Sequence, residues 1–284
     1  MDQVSNVGIL DGTVQVITRV ALQGQESIDA TGLVVAPGAI DMHSHGQDTE
    51  NYRIQALDGV TTALELELGV LDVNQWYGER DGTALINFGA SVGHVPIRMK
   101  VMGDPGLIAP VANAAYKKAS ETQLDEMKDL VHQGLRDGAL AVGFILAATP
   151  LATRLEIIEM FRVAATYGAP CHTHMRGSGH KEPLNCIEGV SEVIAAAVSS
   201  GAPLHIDHVN SSGQEAIPDL LQMIQDARSH GLDITAECYP YTAGITPIES
   251  AILSEGWQEK FGIEYQDLEW ADNGERLTEK TFFE

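Results

Sequence analysis

From Ile40 onward, short apolar runs alternate with longer segments of helical periodicity. That alternation is the pattern of a parallel sheet whose crossovers are helices. The strand-like runs are GAIDMHSH, TTALELE, INFGASVGH, ALAVGFIL, APCHTH, PLHIDH and DITAECYPY. The helical stretches between them include ETQLDEMKDLVHQGLRDG, RLEIIEMFRVAATYG, IEGVSEVIAAAVSSG and IPDLLQMIQDARSHG. All four stretches close on a glycine that leads into the next strand, as a left-handed C-terminal cap requires. The predicted fold is α/β, a TIM-like (β/α)8 barrel with seven of its eight strands legible. Ahead of it, VGILDG, TVQVITRV and LVVAPGAIDMH read as short strands, with turns at Asp11-Gly12 and Thr31-Gly32.

The chain has 284 residues and is 44% hydrophobic, enough to bury a large core. Its 40 acidic and 17 basic residues give a net charge of -23, which repels phosphate backbones and anionic lipid, so neither nucleic acid nor membrane is an expected partner. Cys171, Cys186 and Cys238 are odd in number and lack CxxC spacing. They predict no disulfide framework and fit a reducing cytoplasm, with Cys238 read as buried packing. No secretory leader or membrane-spanning run is legible. No strand is followed by a GxSxG elbow, a P-loop or a GxGxxG turn, so the signals of serine hydrolases and of nucleotide and dinucleotide binding are missing.

Position carries the chemical information. Barrel enzymes place their reacting groups at the C-terminal ends of the strands, and five of the seven runs end in histidine or carboxylate. Ten histidines in 284 residues predict about 0.35 His-x-His pairs by chance, whereas two are present. Alternate strand residues face the same way, so His43 and His45 can aim both rings at one ion. Glu65 and Glu67 lie in an apolar strand, where each buried carboxylate costs several kcal/mol unless a cation or partner compensates it. Glu67, nearer the strand end, is the preferred ligand. An edge strand with solvated glutamates is the competing reading.

His174 and His208 extend the nitrogen ligand set or serve as hydrogen-bonded core histidines. His172 and His205 lie earlier in their strands and suit outer support. Arg176 is read either as a bidentate clamp for an anionic substrate group or as a surface salt bridge. His94 is read as a substrate contact or a strand cap, and Tyr239 and Tyr241 flank Pro240 as phenols at the mouth or as core aromatics.

Together, APGAIDMHSH, DGVTTALELELG, HTHMR and GLDITAECYPYTAG resemble the D-aminoacylase (N-acyl-D-amino-acid deacylase) branch of the amidohydrolase superfamily, in order and over most of the chain. The resemblance implies a barrel over residues 38–284 and part of a small β-sandwich over residues 1–37. It implies one metal position at His43 and His45 and a second at His174 and His208, usually zinc, one or two ions. The family commonly has a bridging cysteine after its GVTT motif, and this chain has none there; Glu67, or else Glu65, is the replacement. As a harder ligand, a carboxylate admits manganese or iron more readily. Ile245 stands where relatives often carry a serine.

The resemblance further implies an eighth strand with a metal-binding, proton-shuttling aspartate, and nothing after Ile245 resembles it. The first sandwich strand is likewise expected ahead of DQVSNVGILDG. The expected activity of the complete enzyme is hydrolysis of N-acyl-D-amino acids or similar small amides. This chain is expected to bind metal with little or no turnover, and its open strand edges to pair with another chain, a homo-oligomer included. The alternatives are a dihydroorotase- or deaminase-like reaction on cyclic amides or amidines, and an inactive metal- or partner-binding fragment.

Overall fold

The computed structural model describes residues 4–180, 182–183 and 185–284. It divides into two compact units, Met1–Gly38 and Ala39–Glu284. In the first, β1 (Asn6–Leu10) and β2 (Thr13–Thr18) form an antiparallel hairpin. Asp11 and Gly12 both have positive φ, 51° and 71°, as a two-residue hairpin turn of matching twist demands. The apolar run 33–35 forms no strand, and Leu33, Val34 and Val35 are exposed. Hydrophobicity alone suggested a strand there, but residues 33–38 make no ladder.

Among the described residues, the second unit has a seven-stranded parallel sheet: β3 (Ala39–Asp41), β4 (Val60–Val70), β5 (Asn87–Gly93), β6 (Val142–Ile145), β7 (Cys171–His174), β8 (Leu204–Ile206) and β9 (Ile234–Ala236). Each strand pairs with its predecessor. That singly wound order belongs to a (β/α) barrel. Between the strands run α1 (Thr49–Leu57), α2 (Val73–Arg80), α3 (His94–Met102), the short α4 (Asn113–Tyr116), α5 (Glu121–Arg136), α6 (Arg154–Thr166), α7 (Cys186–Ser200), the short α8 (Val209–Gly213) and α9 (Ile217–Ser229). Among the described residues, no helix is long and apolar enough to cross a membrane.

Local chemistry sets these boundaries. Ser120 Oγ accepts from the Gln123 amide at 3.2 Å while Gln123 Oε1 accepts from the Ser120 amide at 2.9 Å, a reciprocal cap that starts α5. Val92, Val142, Phe144, Cys171, Leu204, Ile206 and Ile234 from the strands are buried with Met127, Ile157, Met160, Phe161 and Val190 from the helices. This layer holds sheet and helices together.

Two features of the sheet position the site. Laid flat, seven strands would separate the outer two by about 29 Å, yet His43, just past β3, hydrogen-bonds Glu237, just past β9. The sheet must therefore curl until its two ends nearly meet. The second feature is a detour in β4. Glu65 pairs with Ala90 and Val70 with Val92, so four residues, 66–69, stand opposite Ser91 alone. Gly69 takes φ +66° within the detour, and Ser91 Oγ donates to the Leu66 carbonyl at 2.8 Å. The surplus main chain bulges from the ladder and carries Glu67 inward.

Candidate metal centre

Glu67 is the centre of the polar cluster and only 4% exposed. Its Oε1 lies 2.9 Å from His174 Nδ1 and 2.7 Å from His208 Nε2. Its Oε2 lies 3.3 Å from His43 Nε2 and 3.1 Å from His45 Nε2, and those two nitrogens are 3.3 Å apart. Tetrahedral ligands bonded at 2.0–2.1 Å stand about 3.3 Å from one another, so His43, His45 and Oε2 already have the spacing of one coordination face. His174, His208 and Oε1 offer a second group.

Each histidine is placed by its strand. His43 and His45 follow β3, where Asp41 Oδ1 accepts from the His43 amide at 3.0 Å and the Ser44 amide donates to the Leu64 carbonyl at 2.9 Å. His174 ends β7. His208 follows β8 with φ 28°, a left-handed backbone that a side chain rarely adopts without a local reason. The Val209 amide is held by the Glu237 carbonyl at 2.9 Å, and Ser211 Oγ lies 2.8 Å from His208 Nδ1.

The outer ring nitrogens are held as well. Glu65 Oε2 lies 2.8 Å from His45 Nδ1, and Glu237 Oε1 bonds His43 Nδ1. A carboxylate behind an imidazole fixes the tautomer and raises the basicity of the inward nitrogen, as in metal-binding histidines. This separates the two glutamates of β4: Glu67 faces all four histidines, and Glu65 supports one from behind.

The electrostatics ask for positive charge. Burial alone would raise the Glu67 pKa, but hydrogen bonds from His174, His208, His43 and His45 outweigh it and hold the carboxyl well below its ordinary value. Burial works against charge on His43 and His45, yet Glu237 and Glu67 bring the first up to about 11, and Glu65 and Glu67 bring the second up to about 10. Without a cation, these rings take up protons to balance the carboxylates. A nitrogen and carboxylate donor set with this charge deficit fits divalent metal.

Two residues of the cluster escaped the sequence reading. Asp207, 1% exposed, has its pKa raised to about 8 by burial and by the charge of Glu67. Glu237 is held below the ordinary carboxylate range because His205 and His43 outweigh its burial. Both stand just past the ends of β8 and β9, the position that singled out the histidines, so the same rule would have found them.

Three expectations are corrected. Arg176 does not face the centre: its Nε reaches both oxygens of Glu192 at 3.1 and 3.0 Å, Nη1 the carbonyls of Thr149 and Pro150 at 2.9 Å each, and Nη2 that of Ala152 at 2.7 Å. It is neither a substrate clamp nor a surface pair, because both it and Glu192 are buried. His94 is fully buried as the first residue of α3, with Nε2 2.8 Å from Glu156 Oε1. It sits at the strand end and reaches no part of the metal cluster. Cys238 is exposed, because the chain has left β9 before reaching it. Tyr239 remains near the centre, its ring 6.0 Å from that of His208, with its amide donating to Asn210 Oδ1 at 3.2 Å. Tyr241 is largely exposed.

The sequence model described as the amidohydrolase family matches residues 26–267. The chain is similar to the D-aminoacylase of Alcaligenes xylosoxydans xylosoxydans, 26% identical over 260 residues, covering 78% of this chain and 50% of the relative. It is also similar to the allantoinase of Rubrobacter xylanophilus, 26% identical over 262 residues, 84% of this chain and 55% of the relative. The crystal structure of the N-acyl-D-glutamate deacylase of Bordetella bronchiseptica, complexed with zinc and a phosphonate inhibitor, superimposes with a TM-score of 0.71 at 24% identity. That match covers 84% of this chain and 54% of the deacylase. The chain thus spans about half the length of the curated relatives it matches.

Proposed function

We propose, from the premise that this chain belongs to the amidohydrolase family, that its Glu67 centre binds one or two zinc ions and serves hydrolysis of the amide bond of N-acyl-D-amino acids or similar small amides. The observation that carries the proposal is the division of Glu67, with one oxygen toward His43 and His45 and the other toward His174 and His208. His43, His45 and Glu67 would hold one ion, and His174, His208 and Glu67 the other. Bound there, zinc supplies a Lewis acid for the amide carbonyl and a water of lowered pKa. Glu65 and Glu237 orient His45 and His43, and Tyr239 borders the space beside His208. A second reading, hydrolysis of a cyclic amide, draws support from the similarity to an allantoinase.

The ligand proposed is a small molecule, and the charge of -23 disfavours nucleic acid and anionic membranes. A reducing cytoplasm is the proposed compartment, given three free cysteines. Residues 1–37 are read as part of a β-sandwich, residues 38–284 as the barrel, and self-association through strand edges as the expected assembly.

The test is elemental analysis of the purified protein beside a His43→Ala/His45→Ala variant, followed by assay of N-acetyl-D-amino acids and of allantoin. Zinc or manganese in whole-number ratio, falling in the variant, is the expected result, with any turnover favouring the N-acetyl-D-amino acids. Well-folded protein that takes up no metal would overturn the proposal. Turnover of allantoin alone would select the cyclic-amide reading.

A further inference from the structure

Beneath the Glu67 centre lies a second group that the proposed chemistry does not use. His172 and Thr173 come from β7, His205 from β8, and Asp207 and Glu237 from the residues just past β8 and β9. His172, His205 and Asp207 are 6%, 5% and 1% exposed. Asp207 Oδ1 stands 3.4 Å from His172 Nδ1 and 3.9 Å from His205 Nε2, and Glu237 Oε2 stands 3.4 Å from His205 Nε2. The two rings lie 4.5 Å apart and tilted by 30°.

Three buried atoms of these residues have no hydrogen-bond partner: His172 Nδ1, His205 Nε2 and Asp207 Oδ2. Buried polar atoms are nearly always satisfied, and these three belong to residues whose ligand atoms lie within 4.8 Å of one another, so a shared partner is called for. His205 is already oriented for one, because its other nitrogen, Nδ1, lies 2.7 Å from Thr235 Oγ1. That bond leaves Nε2 free to present a lone pair inward.

From this geometry we infer a further divalent-cation site formed by His172, His205 and Asp207, with Glu237 beside it at His205. The 3.4 and 3.9 Å separations from Asp207 to the two rings lie near the roughly 3.3 Å edge of a tetrahedral zinc-type site. Two imidazoles and a carboxylate suit zinc, cobalt or manganese more than calcium or magnesium, which take all-oxygen shells. A bound ion would also offset the crowding of Asp207 beside Glu67 and Glu237, which His43 and His205 only partly relieve.

The site is linked to the centre above through one side chain. Glu237 places Oε2 toward this cluster and Oε1 on His43 Nδ1. A cation here draws charge from Glu237 and weakens its hold on His43. The role is therefore positional, setting the orientation and basicity of a histidine in the upper centre.

The inference does not depend on the proposed hydrolysis and can be tested apart from it. Chelator-treated protein is reloaded with cobalt, its metal content measured, and crystals of the loaded wild-type protein examined for anomalous scattering. The expected result is a peak within bonding distance of His172 Nδ1, His205 Nε2 and Asp207, and one equivalent less cobalt in a His172→Gln variant. A wild-type map with peaks only beside Glu67 overturns the inference, because a shared proton or water then satisfies the orphans, and it leaves the proposed function standing. A peak only at His172 does the reverse. If the variant fails to fold, the wild-type map decides alone.

Discussion

His43 and Glu237 are hydrogen-bonded although they follow the two outermost strands of the sheet. The bond closes the curl and at the same time holds the outer nitrogen of a candidate metal ligand. Removing the charge by Glu237→Gln should leave the fold in place and lower metal affinity by about 10–100-fold, the usual cost of losing a carboxylate behind a coordinating imidazole. Competition with a chelator of known affinity measures it. Unchanged affinity would mean that Glu237 supports the curl alone.

Glu67→Ala should have a larger effect, since one carboxylate serves both histidine pairs. Occupancy should fall at both positions together. A variant that keeps one full equivalent, located by anomalous scattering at His174 and His208, would show that the second pair binds independently.

Gly143→Ala tests the detour in β4. A Cβ at residue 143 would lie 2.4 Å from the Glu67 carbonyl and 2.5 Å from that of Leu66, and main-chain oxygens cannot swing aside as a flexible side chain can. The expected loss is about 1–3 kcal/mol of stability, with weakened metal binding because Glu67 shifts with its backbone. Urea unfolding and metal content of the same preparation give both numbers. Normal values for each would place the cause of the bulge elsewhere.

Arg176→Ala should lower stability by roughly 3 kcal/mol, because it leaves buried Glu192 with only the more distant Arg154, 3.8 Å away, and frees three carbonyls. Metal content of the folded fraction should not change. A variant with wild-type stability that fails only in substrate binding would restore the anion-clamp reading.

For metal-stripped protein the pH dependence has a definite sign. His43 and His45 have pKa values raised to about 11 and about 10 from 6.5, so their contribution is fully present below about pH 6.5 and is lost as pH rises toward 10–11. The part from His45 is smaller, because its side chain is 47% exposed and solvent screens it. The lowered carboxyls of Glu67 and Glu237 act oppositely, their contribution being lost as pH falls below the ordinary carboxylate range. The melting temperature of stripped protein should therefore decline from pH 6.5 to 9, and added zinc should reverse the decline by displacing the ring protons. A flat profile in chelator would show that these histidines are already neutral.

The seven strands were legible because each is a run of apolar residues bounded by turns, and the longer helices because one face is apolar. Helices α1 and α3 were not. In α1, TENYRIQAL buries Tyr52 alone and so has no apolar stripe. In α3, His94, Val95, Ile97, Arg98, Met99 and Met102 are all buried, and an element covered on most sides loses its periodicity.

The same distinction runs through the site. His43, His45, His174 and His208 stand at or just past strand ends, as position predicts, and gather on Glu67, which the detour inside β4 brings to them. Arg176 misled because alternation was extended past His174, where the strand has already ended. Asp207 and Glu237 were overlooked because carboxylates beyond a strand resemble solvated turn residues. Their strand-end position was the available signal, and the curl of the sheet brings them into the cluster.

The detour in β4 also bears on how such a centre can be transplanted. A regular strand would leave Glu67 in the ladder, so copying the five ligands onto another barrel would place the carboxylate in the wrong layer. The unit to graft is the main-chain insertion at residues 66–69 together with Gly93 and Gly143. At those glycines a Cβ would fall 2.2 Å from the Leu68 carbonyl and 2.4 Å from the Glu67 carbonyl, respectively. Side chains on neighbouring strands thus set a requirement for the metal position that a comparison of ligands alone would miss.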